Sequence, residues 1–198
     1  MARVRAYIGL GANVGDPVGT LAAAVHALAA LPGVRLTGVS RLYATDPVGV
    51  LDQPEFRNAV VALDVPAGPG AETGASALLV ALKEIERAFG RRERGRWGPR
   101  EVDLDLLIFG RQRVDVERPP EGRSDDPAKA RLPLVVPHVE AQRRLFVLAP
   151  LSDLAPGLVP PGWGETVATA TARRREVEGP AAARPIAPWD GEGWAGLH

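Results

Sequence analysis

The 198-residue chain contains no cysteine and only two lysines, Lys83 and Lys129. The absence of cysteine excludes disulfides and thiolate metal sites, although it does not identify a compartment. Aromatic residues make up only 5% of the chain, whereas a protein that binds RNA on a sheet displays aromatic side chains on its strands. The formal net charge is +0, so any polyanion must be bound by a local cluster and not by the molecule as a whole.

Other absences narrow the class of protein further. No apolar run approaches the ~20 residues that a membrane helix requires, and the first residues turn to Gly, Asn and Asp too early for a signal peptide. We therefore expect a cytoplasmic protein with no membrane partner. No Walker A sequence is present, so no P-loop is predicted to hold phosphate. A hydrophobic content of 45% and a charged content of 24% are ordinary for one globular domain.

The strongest chemical signal is a pair of acids in a strand-like segment. Asp103 and Asp105 alternate with Val102, Leu104 and Leu106, so the two acids share one strand face, roughly 6–7 Å apart along the backbone. Aspartate is a poor strand former, and an exposed polar strand face is the less favoured explanation. Two carboxylates on one face offer the hard oxygen ligands that Mg²⁺ prefers, and the pair predicts a metal site.

A cluster of arginines precedes this strand. Five of them lie between Gly90 and the aspartates: Arg91, Arg92, Arg94, Arg96 and Arg100. One interpretation is a solvated charge run. Trp97 and Pro99 favour the other, a loop that closes over a ligand, and loops over nucleotides commonly order when the ligand binds. Guanidinium groups suit polyphosphate, so the two neighbouring patterns together predict phosphoryl transfer from a magnesium nucleotide.

The order of periodic segments predicts an α+β fold. Strand, helix, strand, strand, helix and strand follow one another, which is the ferredoxin-like β-α-β-β-α-β arrangement. It implies a four-stranded antiparallel sheet with both helices on one face, and it leaves the other face for a ligand or for the C-terminal extension. The predicted strands are 3–10, 34–44, 56–65 and the aspartate strand, and the helices start near positions 17 and 75.

Beyond Gly110 the periodic signal weakens. We assign 1–172 to one domain, with 118–131 as a charged, Pro/Gly-rich surface insertion. The segment 173–198 contains three consecutive arginines and several prolines, and it is predicted to be a loosely ordered tail. Trp189 and Trp194 are its candidates for packing against the body. The connection at 45–54 is equally consistent with a passive link and with a binding loop.

Side by side, these segments resemble the 6-hydroxymethyl-7,8-dihydropterin pyrophosphokinase family of folate biosynthesis. The matching stretches cover roughly the first 160 residues and include YIGLGANVGDP, LYATDPVG, QPEFRNAVV, RWGPREVDLDLLIFG and PHVEAQRRLFVLAPLSDLAP. The resemblance implies a ferredoxin-like fold and transfer of pyrophosphate from the co-substrate ATP to the hydroxymethyl oxygen of the pterin. Two Mg²⁺ ions take part, and the products are AMP and the pterin diphosphate. It also suggests a monomer.

The resemblance assigns roles to individual residues on the ATP side. Asp103 and Asp105 match the carboxylates that hold both metal ions, and Asp103 also lies near the pterin. Arg100 matches a catalytic arginine that contacts phosphate, Arg91 matches the catalytic loop arginine that assists the transition state, and the next loop arginine is Arg92 or Arg94. The remaining nucleotide positions are Lys83, Glu86, Trp97, Leu106, His138 and Arg144.

For the pterin, the matching positions lie in two separate parts of the chain. Asparagine supplies the paired donor and acceptor that a pterin edge requires, and aromatic rings stack on a flat heterocycle. The implied pterin residues are Thr45, Val48, Phe56, Asn58, Trp97 and Phe146. The chain departs from the family where Asp46 replaces a common proline and where Phe56 lacks a tyrosine hydroxyl.

Two other classes of protein share parts of this pattern. A nucleic-acid-binding ferredoxin-like module would use the arginine loop and keep the acids as structural groups. A nucleotidyltransferase palm also places two aspartates on such a sheet. Neither accounts for a pterin pocket built from Phe56, Asn58 and Phe146, so we predict no nucleic-acid partner.

Overall fold

The computed structural model describes residues 2–47, 52–90, 101–124 and 131–196. Within these ranges the chain combines helices with a mainly antiparallel sheet. The longer helices are α1 (Pro17–Ala29), α2 (Ala71–Ala88), α3 (Leu145–Leu154) and α4 (Val167–Glu178). The strands are β1 (Arg3–Ala12), β2 (Arg35–Val39), β3 (Leu42–Thr45), β4 (Phe56–Pro66), β5 (Asp103–Phe109), β6 (Val114–Val116), β7 (Leu134–Val136) and β8 (Arg184–Ala187).

Six strands form the main sheet. Its order is β5-β1-β4-β3-β8, and β2 also pairs with β4. Every pairing in it is antiparallel. The predicted second strand is therefore two strands on one partner. The break falls at Ser40, whose backbone N–H donates to the Val60 carbonyl while its Oγ accepts from the Val60 N–H, so a side chain replaces part of the ladder there.

One face of the sheet carries the main core. Leucine, isoleucine, valine and alanine side chains of β1, β4 and β5 point to it and pack against α1 and α2. Helix α1 starts as predicted: Asp16 is the N-cap, its carboxylate accepts from the Gly19 N–H, and Pro17 is in the first turn. Two helices on one face of an antiparallel sheet are the layering that the sequence predicted.

The opposite face is covered over only part of its area. Tyr7, Val60, Ala62 and Leu107 pack there against residues of α3 and α4. The strand ends that carry Asp103, Asn58 and Thr45 lie further along the same face, because side chains two residues apart share a face. The C-terminal segment thus takes part of the face that the sequence left for it or for a ligand.

Within the predicted loosely ordered tail 173–198, the described residues 173–196 contain regular structure. The segment continues α4 to Glu178 and then adds β8 to the edge of the sheet beside β3. Trp194 is 1% exposed and belongs to the main core. The composition predicted disorder because Pro, Gly and Arg are plentiful. The pairing of β8 with β3 and the burial of Trp194 in the core order the segment instead.

The predicted insertion at 118–131 is ordered at its start. A single 3-10 turn occupies Pro120–Gly122, and residues 125–130 lie outside the described residues. On either side, β6 and β7 pair as a small two-stranded sheet. None of the helices in the described ranges combines the length and the apolar composition of a membrane span.

Candidate active site

The two aspartates lie on the same face of β5, as their spacing predicted. Asp105 pairs with Gly9 and Asp103 pairs with Gly11 across the antiparallel ladder with β1. Both aspartates are partly exposed, while the alternate residues Leu104 and Leu106 are buried in the core under α2. Because glycines stand beside the two carboxylates, no neighbouring side chain on β1 covers them.

A buried ion pair closes the outer edge of β5 between the aspartates. The Leu104 N–H donates to Glu86 Oε1 at 2.7 Å, and Lys83 Nζ donates to the Leu104 carbonyl at 3.4 Å. Lys83 Nζ also donates to both Glu86 carboxylate oxygens, at 2.8 and 2.9 Å. Glu86 is 2% exposed and Lys83 is 7% exposed. We call these two residues the α2 clasp.

The clasp satisfies backbone groups that an edge strand otherwise leaves unpaired. Leu104 presents its N–H and C=O away from β1, and both find charged partners on α2. Since hydrogen bonds to charged groups are stronger than neutral ones, the backbone between Asp103 and Asp105 is held from both sides. The resemblance predicted nucleotide contacts for Lys83 and Glu86; their described contacts are to β5.

His138 extends this edge. Its backbone N–H donates to the Leu107 carbonyl of β5 at 2.9 Å. Its Nδ1 accepts from the Glu140 N–H at 3.3 Å, which leaves Nε2 as the position for a proton on the neutral ring. The side chain is partly exposed, so the predicted nucleotide-site histidine is positioned by the strand that carries the aspartates.

Arg118 belongs to the same neighbourhood, and the sequence argument missed it. Burial lowers the pKa of Arg118, while the charges of Asp105 and Glu86 raise it in opposition. Its Nε donates to the Pro133 carbonyl at 3.3 Å. The sequence places Arg118 at the start of the predicted surface insertion. The only sign in the sequence of a role near β5 is its position two residues after β6 and before two prolines. After Lys83 and Glu86, Arg118 is the third charged side chain that the structure brings toward β5.

Asn58 lies on the same face of the sheet as Asp103, two strands away. Asn58 of β4 pairs with Gly11 on one side and with Tyr43 on the other. Its Nδ2 donates to Thr45 Oγ1 at 2.8 Å, and both side chains are buried. A Cβ on Gly11 would lie 3.1 Å from Asn58 Oδ1, so glycine at this position leaves room for the amide. Two predicted pterin residues are thus brought together.

The two predicted stacking rings are each half-buried. Phe56 begins β4, two residues before Asn58, and so projects to the same face. Phe146 lies in the first turn of α3, and the Arg144 guanidinium stands 5.7 Å from its ring centre. Arg144 also pairs with Glu140 at 3.6 Å. The predicted nucleotide residue Arg144 and the predicted pterin residue Phe146 are therefore direct neighbours.

Asn13 is a further residue that the sequence argument passed over as part of a turn. It is 2% exposed, and its Nδ2 donates to Gln53 Oε1 and to the Pro54 carbonyl, both at 3.1 Å. These contacts join the end of β1 to the residues that lead into β4. Its signal in the sequence was an asparagine immediately after a strand.

The remaining predicted residues divide into two sets. The Leu106 side chain is buried in the core, so only its backbone is available on the site face. The others lie outside the described residues: Val48, Arg91, Arg92, Arg94, Trp97 and Arg100. Within the described ranges, no group of three or more His, Asp and Glu side chains is assembled as a metal cage.

Comparison with known proteins identifies a family for the chain. The family described as 7,8-dihydro-6-hydroxymethylpterin-pyrophosphokinase (HPPK) matches residues 7–156. A 2-amino-4-hydroxy-6-hydroxymethyldihydropteridine pyrophosphokinase from Pseudomonas aeruginosa is 44% identical over 154 residues, covering 78% of this chain and 82% of its own. The protein of the same name from Methylorubrum extorquens is 42% identical over 169 residues, covering 85% and 92%.

Solved structures show the same fold at low identity. A crystal structure of a Plasmodium falciparum HPPK-DHPS triple mutant with pteroate superposes with a TM-score of 0.68 at 15% identity. The match covers 94% of this chain but only 47% of that one, so this chain spans less than half of the bifunctional protein. With the extended family match and relatives above 40% identity, the chain belongs to the 7,8-dihydro-6-hydroxymethylpterin-pyrophosphokinase family.

Proposed function

We propose that the protein transfers pyrophosphate from ATP to 6-hydroxymethyl-7,8-dihydropterin, giving AMP and the pterin diphosphate in folate biosynthesis. Membership of the family supports the activity. The observation that carries it to particular residues is the sheet face that holds Asp103 and Asp105, on which Asp103 lies in register with Asn58 across Gly11. One face then presents carboxylates for phosphoryl chemistry beside an amide for a heterocycle.

The core of the fold is ferredoxin-like in our interpretation. The order β5-β1-β4-β3 is the fourth, first, third and second strand of a β-α-β-β-α-β unit, with β2 and β3 sharing the second position. The residues after this unit form the C-terminal extension. This arrangement places the aspartate strand β5 at one edge of the four-stranded unit and β3, which carries Thr45, at the other.

The donor set around β5 fits magnesium. Mg²⁺ binds through one or two carboxylates together with substrate phosphates and water, and it needs no protein cage. Asp103 and Asp105 supply such a pair, and we assign both Mg²⁺ ions of the family to them. When bound, the ions neutralise charge on the phosphates and position the reacting oxygens. The protein itself must keep the two carboxylates at a fixed separation, and we assign this role to the α2 clasp.

The acceptor end is built by Asn58, Thr45 and the two phenylalanines. Because Asn58 Nδ2 already donates to Thr45 Oγ1, the amide orientation is fixed and its carbonyl faces the site as an acceptor. We assign the heterocycle edge to this pair and its faces to Phe56 and Phe146. Val48 and Trp97 complete the proposed acceptor residues.

The arginines handle the phosphates. In the proposed reaction the pterin hydroxyl oxygen bonds to the β-phosphorus of ATP, the bond from that phosphorus to the α–β bridging oxygen breaks, and the hydroxyl proton is lost to solvent. Negative charge develops on the departing AMP oxygen. Guanidinium groups stabilise such charge; we assign this to Arg91, Arg92 and Arg100, and add Arg118 because of its position near Asp105. On the nucleotide side we place His138, Arg144 and the backbone of Leu106, and behind them Lys83 and Glu86, which act on it through β5.

We also propose that the protein acts as a monomer in the cytoplasm, with ATP and the pterin as its partners and no nucleic acid. The described residues include no membrane-spanning helix. With a formal net charge of +0, the molecule as a whole lacks the electrostatic attraction to phosphates on which nucleic-acid binders depend.

The test is AMP release from ATP and Mg²⁺, measured with and without the hydroxymethyl dihydropterin. We expect AMP to form only with the pterin, in equal amount to the pterin diphosphate. A second arm replaces the acceptor by a pterin with a methyl group at the same position, which has no hydroxyl to react and should give no AMP. Release of AMP without acceptor, or release of free pyrophosphate with a nucleic-acid acceptor, would contradict the proposal.

A further inference from the structure

The C-terminal segment is attached to the acceptor end of the site, although the family match ends at residue 156. We propose that this segment positions the acceptor residues and that Arg184 is the positioning residue. The inference rests on the proposed function, since it assumes that Thr45, Phe56 and Asn58 bind the pterin. It adds a role for a part of the chain that the family match does not include.

Strand β8 forms the first link. It pairs antiparallel with β3, with Leu42 opposite Ala187, Tyr43 opposite Pro185, and Ala44 opposite Arg184. Arg184 is therefore level with the residue directly before Thr45. Without β8, β3 would be the edge of the main sheet, and an edge strand of four residues has few backbone hydrogen bonds to fix its end.

The Arg184 side chain forms the second link. It donates through Nη2 to a carboxylate oxygen of Glu55, and its Nη1 lies 3.9 Å from Asp46 Oδ1. Asp46 directly follows Thr45, and Glu55 directly precedes Phe56. One guanidinium thus joins the residue after β3 to the residue before β4, and Arg57 Nη1 holds the other Glu55 oxygen at 3.1 Å.

These charged groups are exposed enough that their effect on global stability is small. The side chain of Arg184 is 39% exposed, and those of Asp46 and Glu55 are 72% and 40% exposed. Exposed ion pairs contribute little to the free energy of unfolding. Their consequence is local: they join the residues just beyond the Thr45–Phe56 pair and so reinforce the end of the β3–β4 ladder, and such positioning affects binding more than folding.

The segment itself is anchored in the core, so it can hold Arg184 in a fixed position. Trp194 is buried and its Nε1 donates to the Ser40 carbonyl at 3.0 Å. The His26 ring nitrogen Nε2 is 2.9 Å from the Glu192 carbonyl, and Trp189 packs edge-on against Trp194 with ring centres 4.9 Å apart. Arg184 is thus held through its backbone at β3 and through the core.

The test is a set of initial-rate measurements on the full chain. For Arg184→Ala we expect the KM for the hydroxymethyl dihydropterin to rise roughly 2- to 30-fold, the range typical of mutations that act on a site without touching its ligand. The KM for ATP and the Mg²⁺ requirement should stay unchanged. Glu55→Gln should raise the same KM, and the double variant should be no worse than the stronger single one, because both remove one link.

The matched control is Arg173→Ala, which removes an α4 side chain that pairs at 2.6 Å with Glu165, two residues before that helix. It should leave all three parameters unchanged. Thermal unfolding of each variant shows whether the fold is intact; if Arg184→Ala lowers the Tm more than Arg173→Ala does, the Glu55→Gln variant decides. Equal increases in both KM values, or no increase, would overturn the inference. Absence of acceptor-dependent AMP release in the unchanged protein would instead reject the proposed function.

Discussion

The two sides of the main sheet are closed in different ways. On the β5 side, the buried side chains of Lys83 and Glu86 on α2 form hydrogen bonds with the backbone C=O and N–H of Leu104. On the β3 side, a strand from the C-terminal segment adds its own backbone, and exposed ion pairs of Arg184 join the adjoining chain ends. The first arrangement holds two aspartates; the second holds the proposed acceptor residues.

The difference follows from what each side must do. In the proposed function Asp103 and Asp105 share metal ions, which requires a fixed separation, and supporting residues with locked side chains provide it. A buried ion pair is costly to disturb, because loss of one partner leaves the other charged and unpaired. Exposed ion pairs are weak and screened by salt, so the acceptor side can be adjusted without unfolding the sheet. The following experiments test this division.

Removal of either aspartate should have the largest effect. Asp103→Ala and Asp105→Ala should each lower kcat by about 1,000-fold or more, because the transferred group loses its charge stabilisation. The fold should be retained, since both side chains are partly exposed. The measurement is AMP release together with thermal unfolding. Asp115→Ala, at an exposed strand position on β6, is the control; near-normal activity in either site variant would disprove the metal role.

Removal of the Trp194 side chain should have the largest effect on stability. Trp194→Ala should lower the free energy of unfolding by about 3–5 kcal/mol, as is typical for a fully buried aromatic residue. Trp194→Phe keeps much of the packing and loses the donor to the Ser40 carbonyl, so its loss should be smaller. Urea unfolding monitored by circular dichroism measures both. A loss below about 1 kcal/mol for Trp194→Ala would return the C-terminal segment to the loosely ordered tail of the sequence prediction.

Weakening of the α2 clasp should affect metal use. Glu86→Gln keeps a similar shape but leaves Lys83 without its carboxylate. Substitution of a residue that supports metal ligands typically costs about 10–100-fold in metal affinity or activity, and we expect a loss of that order in apparent Mg²⁺ affinity. Calorimetric titration of Mg²⁺ with a non-hydrolysable ATP analogue gives a readout independent of turnover. Glu84→Gln, exposed on the same helix, is the control.

This variant also separates two roles for the clasp. If Glu86 contacts the nucleotide directly, as the resemblance implies, the KM for ATP should rise at saturating Mg²⁺. If it acts through Leu104, the Mg²⁺ dependence should change while the KM for ATP at saturating Mg²⁺ stays near that of the unchanged protein.

A smaller effect is expected at alkaline pH on the β3 side. Burial first, and then Asp153, raise the pKa of Tyr43 to about 12. The folded protein holds this proton more tightly than the unfolded chain, so the resulting stability is complete below pH 10 and is lost as the pH rises to about 12. Urea unfolding at pH 8 and pH 11 should show a larger decrease for the unchanged protein than for Tyr43→Phe. At pH 8 the variant should lose about 1 kcal/mol through its missing hydrogen bonds. Equal decreases would contradict this assignment.

Local patterns predicted the parts of the fold that depend on near neighbours. Alternation placed Asp103 and Asp105 on one strand face, and Asp16-Pro17 marked the start of α1, because both features are fixed within a few residues. The α2 clasp could not be predicted, since Glu86 meets Leu104 only after helix and strand pack together.

The order of the C-terminal segment was not predicted from the sequence. Its prolines, glycines and arginines are typical of disorder. Trp194 is confirmed as a residue that packs against the body, but no local pattern indicates that its place is in the core beside Ser40. Arg118 was hidden similarly, because a charged stretch follows it and its approach to Asp105 depends on the pairing of β6 with β7. Long-range burial, not propensity, decided both.

The most direct test of the division between the two sides compares Glu86→Gln with Arg184→Ala in one set of assays. Mg²⁺ half-saturation and the KM for the hydroxymethyl dihydropterin are measured for both variants and for the unchanged protein. The account predicts that Glu86→Gln changes only the Mg²⁺ half-saturation and that Arg184→Ala changes only the KM for the pterin. If each variant changes both parameters by similar factors, the two sides of the sheet are not separate in function.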